Sequence, residues 1–160
     1  MENENKYDFG NGLVAAHQHS NGGGWVADTA TVSDTAYIGP DAQVFDDAWV
    51  FNDAWVGGVA RVYGNATVYG DAEVYGDATV CGNASVCGNA SVCDDAVVSG
   101  YARVYGIALV SGSAEVYNNA WVYGTAVVSG DARVFHSARV FGNARVTDTA
   151  VVSGDTEVSA

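Results

Sequence analysis

From Val26 to Val158 an aliphatic residue recurs at every sixth position through 22 unbroken steps, with Ile38 standing once for valine. Two residues before each aliphatic is an alanine, from Ala30 to Ala150; only Gly24 at the first hexad and Thr156 at the last depart. Residues two apart in an extended chain point to the same side, so each Ala-x-Val unit puts a small and a β-branched side chain on one face and leaves its neighbours to the other. A strand this short cannot hide its apolar face alone, so successive strands must turn and enclose a common interior. The turn residues agree. Two positions after each aliphatic the chain carries Asp28, Asp34, Asp46, Asn52, Gly58, Gly64 and so on to Gly154, with Pro40 and His136 outside the Gly, Asp and Asn set. Gly, Asn and Asp tolerate a left-handed backbone best and His follows them, so a positive-φ corner is predicted once per hexad.

This hexad, aliphatic at one position and small two before it, resembles the hexapeptide-repeat left-handed parallel β-helix family over residues 24–158. The resemblance implies an all-β triangular solenoid with three hexads per coil, often assembled as a homotrimer. The hexads then make seven to eight coils, a prism roughly 35 Å long at a strand spacing of ~4.8 Å. Residues 24–160 are expected to form the β-helix and residues 1–23 to cap its first coil, because an open end exposes both core and backbone edge. The segment AHQHSNGGGW also resembles the start of uncharacterised solenoids encoded by bacteria and their phages. Its SNGGGW portion lacks the Lys and the following helix of a phosphate-binding loop, so it reads as a flexible lead-in to the first coil.

With three hexads per coil, outward side chains three hexads apart form columns. On the face of Val32 and Val50 the residues after each valine are Ser33, Phe51, Tyr69, Cys87, Tyr105, Tyr123 and Phe141, a nearly continuous aromatic column. Beside it run Thr31, Trp49, Thr67, Ser85, Arg103, Trp121, Arg139 and Glu157, which places Trp121 between two guanidinium groups and Arg139 beside Glu157. The face of Val44 carries Phe45, Tyr63, Cys81, Ser99, Tyr117 and Phe135, with Glu115 and Arg133 adjacent in the neighbouring column. The third face is flatter. An aromatic column of this length exceeds the apolar patch usual for a monomer, so Phe51, Tyr69, Cys87, Tyr105, Tyr123 and Phe141 are the expected interface of a homotrimer.

Nineteen acids against six bases give a net charge of −13, which excludes sequence-independent binding to nucleic-acid phosphates. No stretch approaches the length of a membrane span and MENENKYDFGNG has no apolar signal-like core, so a cytoplasmic location is expected, with no membrane partner. Arg133, His136, Arg139 and Arg145 make the one cationic patch; arginines from different faces meeting across a trimer interface would hold phosphate or carboxylate groups. With Arg103 and Trp121 these are the candidate ligand-binding residues. The stacked acids Asp28 over Asp46, Asp53 over Asp71 and Asp77 over Asp95 read as solvent-screened turn residues. His17 and His19 have no third ligand at a suitable spacing, so neither a metal site nor a cofactor is expected. Cys81, Cys87 and Cys93 take the same outward position on three faces of one coil, so they diverge and read as free thiols rather than a metal knot or disulfide.

Enzymes with this kind of repeat are largely acyltransferases, together with a zinc carbonic anhydrase class, and the resemblance implies catalytic histidines on loops or at subunit interfaces. No loop interrupts the hexads here, and no catalytic residue is assigned. The expected function is that of a non-enzymatic binding or structural solenoid, a homotrimer that holds a protein or a small anionic ligand, in the manner of a phage counter-defence protein. The alternatives are an acyltransferase-like enzyme and an acidic DNA mimic that occupies a DNA-binding protein.

Overall fold

The computed structural model describes residues 5–160, and the first four residues of the expected capping segment lie outside them. All regular structure among the described residues is β: β1 (Lys6–Asp8), β2 (Leu13–Gln18), β3 (Trp25–Ala27), and then one strand per hexad from β4 (Thr31–Val32) to β25 (Glu157–Ser159). Every third strand lies in the same sheet, and partners in the repeat run parallel with a register of three hexads, as in Thr67 opposite Ser85 and Val68 opposite Val86. The result is a parallel β-solenoid of about eight coils with three sheets. Face I carries Val26, Val44 and Val62, face II carries Val32, Val50 and Val68, and face III carries Ile38, Val56 and Val74.

The repeat explains this directly. Alanine and valine alternate into one continuous core whose side chains are fully shielded over almost the whole length, from Ala36 and Ile38 to Ala138 and Val140. A side chain as small as alanine beside each valine lets three sheets converge at close-packed density. The corners supply the bend: every sixth residue from Asp46 to Gly154 has positive φ, including Asn52, Asp94, Asn118, His136 and Asp148. A Cβ on Gly82 would stand 3.0 Å from the backbone N of Gly100 in the next coil, so close stacking of corners adds a spatial reason for glycine to the conformational one. At two of the three positive-φ aspartate corners the carboxylate bonds upward: the amide of Gly64 donates to Asp46 Oδ2 at 3.2 Å and that of Gly112 to Asp94 Oδ2 at 3.0 Å.

The first coil departs from the predicted corners. Asp28, Asp34 and Pro40 are absent from the positive-φ residues, and the left-handed series begins at Asp46. Proline fixes φ near −65°, and Asp28 follows a strand that is held antiparallel to β2, with Ala16 opposite Ala27 and the Asp28 amide donating to Ala15 O at 3.0 Å. SNGGGW, expected to be a flexible lead-in, is instead a hydrogen-bonded turn seated on the first coil. His19 N donates to Gly24 O (2.8 Å), Ile38 N to Asn21 O (3.0 Å) and Gly24 N to Ile38 O (2.9 Å).

β1 then doubles back against the outside of face I. Tyr7 stacks on Trp25 with ring centroids 4.5 Å apart, Phe9 stacks on Phe45 at 4.8 Å, and Arg61 Nη2 donates to Phe9 O at 2.6 Å.

Candidate functional site

Because the core positions are nearly invariant, chemical variety is confined to the outward ladders. Parallel stacking at a three-hexad register turns each outward column into a ladder with one rung per coil. On face II Phe51 and Tyr69 are stacked at 5.0 Å and 4°, while Tyr105, Tyr123 and Phe141 continue at 4.9 and 5.1 Å. Between Tyr69 and Tyr105 the rung is Cys87, half-buried, and the aromatic ladder is interrupted there once.

A depression of about 430 Å³ lies at this interruption, lined by Tyr69, Cys87 and Tyr105 of the aromatic column, by Ser85, Arg103 and Trp121 of the column beside it, and by Asn83. Arg103 lies over the Trp121 ring at 5.2 Å, and Arg139 lies at the same distance from that ring. The two arginines differ in their other contacts. Arg139 Nη1 reaches Glu157 Oε1 at 3.2 Å, whereas no carboxylate pairs with Arg103 among the described residues. Coil by coil, the same level of the solenoid also carries the most exposed large apolar side chains of the repeat: Tyr101 at 63% and Ile107 at 67% stand at the two corners that bound face II beside Arg103 and Tyr105. The Cys87 thiol, followed by burial, pushes the Tyr69 phenol above its usual range. Burial first, and Tyr123 second, push up that of Tyr105. Both rings that bound the gap are therefore neutral well beyond physiological pH.

The remaining candidates are dispersed. Arg133 lies on face I, where its Nε is 3.5 Å from Glu115 Oε2; Arg139 lies on face II and Arg145 on face III. His136 occupies the corner between the first two faces, with φ of 57° and its ring 4.7 Å from that of Phe135. Within one chain, therefore, Arg133, His136, Arg139 and Arg145 do not converge, because consecutive hexads point to different sides of a three-faced prism. Of the six ligand candidates, Arg103, Trp121 and Arg139 form one contiguous group.

The acids and histidines also resolve. His17 Nδ1 sits 2.8 Å from Asp28 Oδ1, a pair made by the antiparallel match of β2 to β3 that the linear spacing did not reveal. His19 is buried against Asn21, whose amide lies 3.3 Å from its Nδ1. No group of three or more His, Cys, Asp or Glu side chains suited to a metal ion occurs among the described residues. The three thiols are free, with Cys93 buried and Cys81 and Cys87 half-buried. Two further depressions lie on the N-terminal coils. One of about 560 Å³ lies between the β1–β2 hairpin and Phe45, and one of about 520 Å³ on face III is lined by Asp53, Trp55, Asp71, Glu73 and Tyr75.

Comparison with protein families places this geometry in a solenoid context. Residues 60–74 and 138–154 match the family model described as YdcK Beta solenoid repeat. Each match takes in strands of all three faces: Arg61–Val62, Thr67–Gly70 and Glu73–Val74 in the first, Arg139–Phe141, Arg145–Val146 and Val151–Val152 in the second. No curated protein and no solved structure matches the chain.

Proposed function

We propose that the protein is a non-enzymatic binding solenoid, wound in the left-handed sense that the hexad pattern implies, whose partner is held on face II. The observation that carries this reading is the concentration on two adjacent coils of face II and its bounding corners of Arg103 without a carboxylate partner, the Trp121 ring, and the exposed Tyr101 and Ile107. A cation beside aromatic rings at the edge of a depression recognises an anionic group attached to an apolar or planar body. On face I, by contrast, Arg61 is held by the carbonyl of Phe9 and Arg133 by Glu115.

The test is a thermal-shift screen against nucleotides and aromatic carboxylates, run on the wild-type chain, on Arg103→Gln/Trp121→Ala and on Arg133→Gln. Ligands that raise the melting temperature of the wild type should lose their effect in the face II variant and keep it in Arg133→Gln. A response indifferent to the face II changes, or no response to any ligand, refutes the reading. A homotrimer packed through face II is a second reading, favoured by the exposure of Tyr101 and Ile107. Sedimentation at micromolar concentration decides it: a trimer that Ile107→Glu dissociates supports it, and a monomer rejects it.

A further inference from the structure

The ladder on face II lacks one rung, and the dimensions of the vacancy can be read from the rungs on either side. Stacked neighbours below and above it stand 5.0 and 4.9 Å apart at interplanar angles of 4° and 1°. Tyr69 and Tyr105 are separated by two coils, so their ring positions are about 10 Å apart at the β-stacking interval. One planar ring placed midway would sit about 5 Å from each, within the range of offset stacking. Cys87 and Ser85 line that space with side chains shorter than the rings on either side, and the Tyr69 phenol hydrogen-bonds the Cys87 thiol at its edge, a contact that an incoming ring would displace.

The other two faces do not offer the same geometry. Face I loses two consecutive rungs, Cys81 and Ser99, between Tyr63 and Tyr117, so a single ring there would have a partner on one side only. On face III the ladder above Tyr75 passes to Cys93, Ser111 and Ser129 with no further ring to close it. The vacancy bounded by rings on both sides is a property of face II, and it is there that Arg103 lies along the same depression.

We infer that the gap between Tyr69 and Tyr105 is a stacking slot for a planar aromatic anion, whose ring takes the missing rung over Cys87 and whose carboxylate or phosphate is met by Arg103. The inference rests on face II being the binding face and names the ligand class that it takes. A single ring or a fused pair fits between two tyrosines. The anionic group lies to the side where the next coil presents a guanidinium stacked on Trp121. Asn83 contributes an amide at the same rim.

Two probes distinguish the sources of such chemistry: naphthalene-2-carboxylate for aromatic acids and adenosine 5′-monophosphate for nucleotides. Both are titrated by calorimetry into the full chain, and whichever binds more tightly assigns the source. The expected stoichiometry is one per chain. Cys87→Tyr supplies the missing rung from within and should weaken the better probe at least tenfold. Arg103→Gln should weaken naphthalene-2-carboxylate about tenfold while leaving the uncharged 2-naphthalenemethanol unchanged, a split that loss of structure would not produce.

A measurement on the unaltered chain guards against a variant that fails to fold: bound probe should slow alkylation of Cys87 and leave that of Cys81 unchanged. Undiminished binding by folded Cys87→Tyr, equal protection of the two thiols, or no binding at millimolar probe overturns the slot. So does an oligomer that Cys87→Tyr dissociates without any probe being bound, since the occupant is then a second copy. If the slot fails while other ligands still respond to the Arg103→Gln/Trp121→Ala change, the face II reading survives it.

Discussion

Faces I and II share one core and one corner geometry, yet they are spent differently. On face I the N-terminal hairpin lies over the first rungs, so Phe9, Phe45 and Tyr63 form one stack and the guanidinium of Arg61 is consumed by the carbonyl of Phe9. Further along, Arg133 is neutralised by Glu115. On face II no segment among the described residues lies over the ladder in this way, the aromatic column resumes after a single interruption, and Arg103 is left against Trp121. A backbone dictated by Ala and Val every six residues is indifferent to what its outward columns carry. Differences between faces therefore reflect stacking within each ladder, local packing such as the hairpin, or a role outside folding.

The severest way to break the comparison is to remove what the two faces have in common. Val86 is fully buried and sits beneath both the Cys87 gap and the adjoining corner. Val86→Asp places a carboxylate where no partner or water can reach it, at a cost of about 3–5 kcal/mol or more. Urea denaturation should show loss of the cooperative transition for the solenoid as a whole rather than for face II alone. Because each coil rests on its neighbours, a wound in the fourth coil should propagate in both directions.

A gentler change sharpens the comparison. Cys87→Tyr closes a gap with a ring on each side, whereas Cys81→Tyr gains a neighbour only at Tyr63 because Ser99 lies above it. Aromatic pairs contribute about 0.5–1.5 kcal/mol each beyond burial. Cys87→Tyr should thus stabilise by roughly 1–3 kcal/mol and Cys81→Tyr by about half of that, read as shifts in the denaturation midpoint at constant slope. Equal gains from the two substitutions would mean that Tyr69 and Tyr105 do not clasp the new ring.

The contrast also separates what was legible in the sequence from what was not. Strand positions, three-hexad coils, stacking partners such as Glu115 with Arg133 and the sandwich of Trp121 all follow from arithmetic on one repeat, since a fixed period converts sequence distance into spatial direction. The arithmetic fails where the repeat does. Nothing in MENENKYDFGNG announced that β1 would turn back over face I, because Tyr7 and Phe9 are recruited by the rings of Trp25 and Phe45, far along the chain. His17 meeting Asp28 was hidden for the same reason, an antiparallel match in a chain otherwise parallel. Nearness in sequence groups Arg133 with Arg145, although two hexads carry the chain onto another face. The vacancy at Cys87 was visible in the column of residues; its significance needed the stacked rings on both sides and the depression between them.

The smallest expected effect concerns the coil at which all three ladders change. Tyr63, Tyr69 and Tyr75 each lie one coil before a cysteine, and each phenol is pushed above its usual range, though for different leading reasons: burial for Tyr63, the thiol for Tyr69 and Tyr75. The effect is largest on face III, where Tyr75 is pushed up to about 12 by its hydrogen bond with Cys93, then by burial. A phenol whose folded pKa exceeds its unfolded value near 10 contributes fully to stability below about pH 10, and that contribution is lost as pH rises toward 12. Alkaline denaturation should therefore begin above pH 10. In absorbance titration at 295 nm, Cys93→Ala should return the Tyr75 midpoint toward 10 and leave that of Tyr69 in place. A Tyr75 midpoint unchanged by Cys93→Ala would assign the shift to burial alone and break the parallel between the thiol-paired faces II and III.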